Sequence, residues 1–345
     1  MNAGTWVREL IADQAKAWRV ALQAARPLPR EGRLLFVGSG SSYYVAQVAA
    51  EVACRQGVTA EARPAADLCL EPDVTLNGVS RVVVISRSGE TSEALWAAAN
   101  AKRQGLPVMG LSANPASPLM DVVHQAVAHE EWEDHTVVMI RSFTSLLVYL
   151  EACLAVGDGG DGSKSQESVF RLPEAFPSAY EAAEPLLRQW SGRVPRRIVL
   201  LGAGVRYGIA LEGMLKLTEM SHVATVAYNP LEFRHGPRGA LTAEDLVVLL
   251  GQAKMAGEEG ALMRELGTIT PHVAVIATAA WFEHAAVPNA VIACRLPADV
   301  EDLWAGPLAT VPLQRLAWQV AIAAGRDPDR PEHLDKVVHL DHGQS

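Results

Sequence analysis

Short, almost wholly apolar runs recur along the chain: Leu34–Val37, Val82–Ile85, Ile198–Leu201 and Leu246–Leu250. Runs this short and this uniformly apolar read as strands buried on both faces, as in a parallel sheet. Between them lie segments with apolar residues at helical spacing, such as Ser92–Gln104 and Glu258–Leu266. Strands alternating with helices predict an α/β fold with doubly wound parallel sheets covered by helices.

The pattern occurs twice. Leu34–Tyr43 (LLFVGSGSSY) resembles Ile198–Tyr207 (IVLLGAGVRY) in strand, GxG turn and helix start. Downstream, Arg81–Ile85 matches Leu246–Leu250, Val108–Ser112 matches Val273–Ala277, and Ala126–Glu130 matches Val291–Arg295. Two similar domains, flavodoxin- or Rossmann-like, are therefore expected over 1–160 and 170–345. The polar, glycine-rich Gly157–Ser165 is expected to be a flexible linker. A helix over Pro173–Trp190 would lead into the second domain. Met1–Leu22, with Trp6, Leu10, Ile11, Trp18 and Leu22 at helical spacing, would do the same for the first. Neither GxG turn carries the third glycine of a dinucleotide fingerprint at the right spacing, and the strand ending at Ile85 is followed by Ser86, not an acid. Nicotinamide binding is not expected, and the glycines serve close backbone approach.

Candidate chemistry concentrates in Ser86-Arg87-Ser88-Gly89-Glu90-Thr91-Ser92, between a strand and an alanine-rich helix. Free N–H groups at a helix start favour an anion, and the hydroxyls complete a cup for a phosphate monoester. An ordinary Ser/Thr-capped helix is the alternative. Ser41 and Ser42, following Gly40, sit at the carboxyl end of the first strand, where open α/β sheets bind ligands. The second copy has Gly251-Gln252-Ala253 in place of the hydroxyl loop, so the cup is expected in the first half alone.

The second half carries charge in apolar company. Glu212, Lys216 and Glu219 share one helical face, which fits either a site or a solvated Glu–Lys pair. His235, between Arg234 and Gly236-Pro237, suits a placed acid/base group. Lys336, near the C-terminus, reads by itself as a solubility residue.

Composition narrows the function class. Apolar residues make up 49% of the 345 and charged residues 20%, which suits large buried cores. A net charge of −9 argues against nucleic acid as a partner. Cys54, Cys69, Cys153 and Cys294 form no CxxC pair and are expected to be buried, reduced thiols of a cytoplasmic protein. Met1–Arg30 has no run long enough for a signal peptide or membrane span, and no membrane partner is expected. His124, His129 and His135 lack zinc spacing, and neither a metal nor a cofactor is expected.

Gly40-Ser41-Ser42-Tyr43, Ser86–Thr91, Ala210–Glu219, Arg234–Pro237 and Leu334-Asp335-Lys336 together resemble the double sugar-isomerase (SIS) domain proteins. The likeness is to the isomerase half of glucosamine-6-phosphate synthase and to stand-alone amino-sugar-phosphate deaminases and isomerases. The resemblance implies that Gly40, Ser41, Ser42, Ser86, Ser88 and Thr91 hold a hexose 6-phosphate, with Arg87, where the family often has glutamine, adding charge to the grip. It implies Glu219 as the base moving a proton between C1 and C2. His235 would open the ring from a neighbouring subunit of a homodimer. Lys336 would close over the open-chain sugar, and Glu212 and Lys216 would orient sugar or partner. Met139 stands where the synthases carry serine, which points away from that branch. No glutaminase segment precedes the first strand in this sequence, so glutamine-dependent amination is not expected. The implied activity is conversion of an amino-sugar 6-phosphate to a ketose 6-phosphate and ammonia. Ketose/aldose isomerisation, fructosamine-6-phosphate cleavage and non-catalytic sugar-phosphate sensing are the alternatives.

Overall fold

The structure, a computed structural model, describes residues 3–156 and 162–340. The chain forms two compact units: Lys16–Gly157 with His333–Ser345 (the first unit), and Met1–Ala15 with Asp158–Glu332 (the second). The sequence partition, 1–160 and 170–345, leaves each terminus with its nearer half; in the structure the terminal segments change places. The reason lies in side chains far away in sequence. Asp329 accepts the N–H groups of Trp6 (3.1 Å) and Val7 (2.8 Å), and Asp327 accepts that of Gly4 (2.9 Å). These carboxylates satisfy the free donors at the start of helix Thr5–Ala12. Met1–Leu22 thus holds two helices, Thr5–Ala12 and Gln14–Ala24, rather than one. Pro173–Trp190 likewise divides into Leu172–Glu181 and Glu184–Gln189.

In the first unit, strands β1 (Leu34–Gly38), β2 (Ala60–Pro64), β3 (Arg81–Ile85), β4 (Val108–Ser112) and β5 (Gln125–Ala128) pair in the order β2-β1-β3-β4-β5. All pairings are parallel, with Phe36 opposite both Ala62 and Val83. The second unit repeats the plan. Its strands β6 (Ile198–Gly202), β7 (Thr225–Tyr228), β8 (Leu246–Leu250), β9 (Val273–Thr278) and β10 (Ile292–Leu296) pair in the order β10-β9-β8-β6-β7, again in parallel. The interior strands are the apolar runs of the sequence. Helix Ser92–Arg103 lays Ala94, Ala97, Ala98 and Ala101 against Val82, Val84 and Leu35, small side chains that bring its axis close to the sheet. In the second unit, Gly213 lets helix Val205–Ser221 meet helix Gly306–Ala323, since a Cβ there would sit 2.6 Å from Leu313 Cδ1.

Of the glycine-rich stretch Gly157–Ser165, residues 157–161 lie outside the described residues. The remainder is not a linker but the start of helix Gly162–Phe170, which Ser168 ties down by accepting the Glu301 N–H (2.6 Å). All four thiols are free; Cys153 and Cys294 are buried as expected, but Cys69 is half-buried and Cys54 exposed, because it lies near the end of helix Ser41–Arg55. No helix among the described residues is long and apolar enough to cross a membrane.

Candidate active site

Both sheets change winding direction at their first strand, and the first sheet keeps a cavity there. Its GxG turn has a steric origin. A Cβ on Gly38 would lie 2.5 Å from the Ser42 backbone, so the following helix can pack close. Gly40 has φ 57° and ψ −130°, a conformation that side chains disfavour, and Gly204 repeats it with φ 50° and ψ −126°. These glycines are backbone devices shared by both copies.

A cavity of about 190 Å³ opens between the ends of β1 and β3. Ser39, Gly40 and Ser42 line it from one side, and Ser86, Arg87, Ser88 and Thr91 from the other. That volume is below the roughly 300 Å³ at which drug-sized pockets begin, and it suits a small anionic head group. Helices Ser41–Arg55 and Ser92–Arg103 both start at this cavity, and neither carries a side-chain cap. The Thr91 hydroxyl is therefore not spent on its helix, which removes the simple capping alternative. Ser86 and Ser88 accept the N–H groups of Gly89 (3.1 Å) and Glu90 (3.2 Å), which shapes the loop. Ser42 points its hydroxyl towards the Met139 sulfur at 3.9 Å, a weak acceptor. Ser41 is buried next to it but does not line the cavity. Glu93 also contributes to the wall, with Oε2 buried and unpartnered among the described residues, and its charge acts against a dianion.

Arg87 is where the structure departs most from expectation. Its Nη1 donates to the carbonyl oxygens of Thr136 (3.1 Å) and Val137 (2.8 Å), and its Nη2 to that of Lys336 (3.0 Å). The guanidinium borders the cavity, yet these bonds are to main chain. Lys336 reaches the same cavity, because the C-terminal segment crosses the start of helix Ser92–Arg103. There the Ser92 N–H donates to Val338 (3.4 Å), and the Leu340 N–H donates to the Ser92 hydroxyl (3.0 Å). Lys336 Nζ lies 3.1 Å from Glu133 Oε1. Burial pushes the Glu133 carboxyl up, but Lys336, the Arg87 charge and the His135 N–H outweigh it and hold it below the usual range. Neighbouring Asp134 is fully buried and raised by that burial, although Arg87 and Ser142 oppose the shift. Nothing in the sequence distinguishes Glu133 from the other acids of Glu130–Asp134.

The remaining predicted residues lie in the second unit. Glu212, Lys216 and Glu219 do share a face of helix Val205–Ser221, and it is not a solvated one. Glu212 and Lys216 are buried, and Glu219 is 18% exposed. Lys216 Nζ is 2.6 Å from Glu219 Oε2 and 3.5 Å from Glu212 Oε1, so one cation sits between two carboxylates. His235 is exposed. Its loop begins with Asn229 capping Leu231 (3.0 Å). It is pinned by Glu265, which pairs with Arg234 (3.0 Å) and Arg238 (2.9 Å) on either side of the histidine.

The second sheet's equivalent crevice is occupied by the protein itself. Asp302 accepts the Ala253 N–H (3.1 Å), the Thr278 hydroxyl (3.0 Å) and buried Arg206 (3.2 Å). Glu259 accepts the Gln252 N–H (3.0 Å) and the Trp281 indole N–H (2.6 Å). The N–H donors after β8 thus face internal carboxylates. Among the described residues no cluster of His, Cys, Asp and Glu is arranged to hold a metal.

A profile described as the SIS domain matches residues 28–156 and 193–317, one span in each unit. The glutamine–fructose-6-phosphate aminotransferase (isomerizing) of Pyrococcus horikoshii is 27% identical over 339 residues, 93% of this chain and 54% of that protein. The chain spans about half the length of such relatives. The crystal structure of glucosamine-6-phosphate deaminase from Thermotoga maritima superposes with a TM-score of 0.76 at 26% identity, covering 97% of this chain and 98% of that one. Tagatose-6-phosphate ketose/aldose isomerase from Escherichia coli gives 0.79 at 24% identity, covering 99% and 98%, a likeness of fold. With the profile matching both halves of a duplicated 2-1-3-4-5 sheet, the chain belongs to the SIS domain family.

Proposed function

We propose that the protein is an enzyme that converts an amino-sugar 6-phosphate, such as glucosamine 6-phosphate, to the ketose 6-phosphate and ammonia. The observation that carries this reading is the hydroxyl-lined cavity between two helix starts that lack side-chain caps, with Lys336 at its edge. Such a site takes a phosphate dianion through N–H and O–H donors. The likeness to a glucosamine-6-phosphate deaminase across nearly the whole chain supports the choice of substrate class.

The chemistry follows from the residues. In the open-chain aldose, Glu219 takes the proton from C2, which bears the amine, and an enolamine forms across C1–C2. Return of that proton to C1 gives the 2-imine, and one water hydrolyses it to the ketone and ammonia. A carboxylate held 2.6 Å from a buried lysine ammonium is a suitable base, because the ion pair fixes its position. Glu212 fixes Lys216 from the other side. His235, exposed on its pinned loop, opens the ring of a substrate in the partner subunit of a homodimer. Lys336 covers the open-chain sugar.

The test is release of ammonia and fructose 6-phosphate from glucosamine 6-phosphate by the purified protein. Absence of turnover with any hexosamine 6-phosphate, beside an active control deaminase, refutes the proposal. A panel including fructosamine 6-phosphates and unaminated ketose and aldose phosphates separates deamination from cleavage and isomerisation.

A further inference from the structure

We infer that Arg87 is a positioning residue for the C-terminal segment, fastening Lys336 to the rim of the phosphate cavity, and is not a ligand of the phosphate. The inference builds on the assignment of Lys336 to that cavity in the proposed function.

Three observations carry it. First, three of the five N–H groups of Arg87 are committed. Both terminal nitrogens donate to main-chain carbonyls, at 2.8–3.1 Å, and the side chain is 6% exposed. An anion that drew the guanidinium into the cavity would leave these carbonyl oxygens without their donor, that of Thr136 in a buried place. Second, the carbonyls belong to two segments distant in sequence, Thr136-Val137 and Lys336. Only a planar fork with several N–H groups bridges them at once; a lysine or glutamine lacks the reach or the donor number. Third, the tail is held at separate points. Arg87 binds the Lys336 carbonyl, Glu133 binds the Lys336 ammonium (3.1 Å), and Ser92 pairs with Val338 and Leu340. The tail is otherwise exposed, with Leu334, Val338 and Leu340 at 38–50%. An exposed segment without a packed core of its own stays in place through such polar anchors.

Arg87 lies between Ser86 and Ser88, so the residue that anchors the tail belongs to the loop that receives the phosphate. Loop and tail are one mechanical unit, and the correct placement of Lys336 depends on the loop conformation that forms the cup.

The test measures tail docking and anion binding separately, with no need for turnover. Trypsin cleavage after Lys336 is followed by the appearance of the peptide beginning at Val337, and inorganic phosphate binding is followed by calorimetry. In Arg87→Gln the cleavage rate is expected to rise at least tenfold while the phosphate dissociation constant stays within fivefold of wild type. Unchanged cleavage, or a loss of phosphate affinity beyond fivefold, overturns the inference. If Arg87→Gln does not fold, Arg87→Lys decides. It keeps a cation in the loop but lacks the planar fork that bridges the two segments, and unaltered cleavage there overturns the inference as well. Failure of the wild type to bind phosphate would count against the proposed ligand, and the cleavage comparison would still decide the role of Arg87.

Discussion

Glu259 offers a quantitative handle on how the second crevice is filled. It sits buried on helix Ala256–Leu266, with Oε2 bonded to Trp281 and Gln252, and Oε1 unpartnered among the described residues. Burial pushes its carboxyl from 4.5 up to about 7, and the Asp302 charge pushes the same way. The N–H groups of Gln252 and Trp281 and the Arg206 charge pull back without prevailing. Between pH 4.5 and about 7 the folded chain therefore holds a proton that the unfolded chain has released. Stability from this group is fully present below pH 4.5 and is lost as pH rises through 7. At about 1.4 kcal/mol per unit, the difference is about 3 kcal/mol. Glu259→Gln is neutral at every pH and keeps a carbonyl oxygen for both donors. Its stability, relative to wild type, should rise by about 3 kcal/mol between pH 4.5 and pH 8. Urea unfolding of both proteins across that range gives the comparison, with hydrogen exchange in β8 and β9 as the local readout. A difference that stays constant with pH would show that the carboxyl titrates normally, and the account of a closed, dry crevice would fail.

Other outcomes follow from the same geometry. Gly40→Ala meets no steric neighbour but must hold φ 57° and ψ −130°. It should cost roughly 1–3 kcal/mol of backbone strain and weaken phosphate binding measured by calorimetry, whereas unchanged affinity would show that the turn does not shape the cup. Glu219→Gln should lower kcat about 10²–10⁴-fold with little effect on KM, as for loss of a general base. Verified mixed dimers of Glu219→Gln and His235→Ala should regain activity that neither homodimer has; lack of rescue argues against a site shared between subunits.

Much of the fold is legible in the sequence because six interior strands bury both faces and are apolar through their middles, with Arg81, Ser112 and Thr278 only at strand ends. Edge strands escape that rule. β2 carries Glu61 and Arg63 on a half-exposed edge, and β7 is half-buried throughout, so neither stands out from a loop by composition. The hydroxyl loop is legible because its chemistry is contiguous, from Ser86 to Ser92. The roles of Arg87 and Glu133 are not, because each depends on a tail about two hundred residues or more downstream whose docking has no local signature. The terminal segments change units for the same reason: Asp327 and Asp329 look like ordinary turn residues until they meet the start of helix Thr5–Ala12.

The two crevices share one backbone device and differ in the side chains that surround it. Each has a strand, a GxG turn with its second glycine at positive φ, and a helix start without a side-chain cap. An exposed set of N–H donors at such a turn needs a negative partner, and burial makes the need greater. In the second unit the N–H groups of Gln252 and Ala253, after β8, already donate to Glu259 and Asp302, and Asp302 also pairs with Arg206. In the first unit hydroxyls of Ser42, Ser86, Ser88 and Thr91 line the corresponding space, with Glu93 the carboxylate in its wall. Hydroxyls can donate to an anion or bond to water, so they tolerate both an empty and a filled cavity, which a fixed carboxylate cannot. On the proposed reading, that physical difference assigns exchangeable-anion binding to the first crevice and leaves the second as scaffold for the helix that carries Glu212, Lys216 and Glu219.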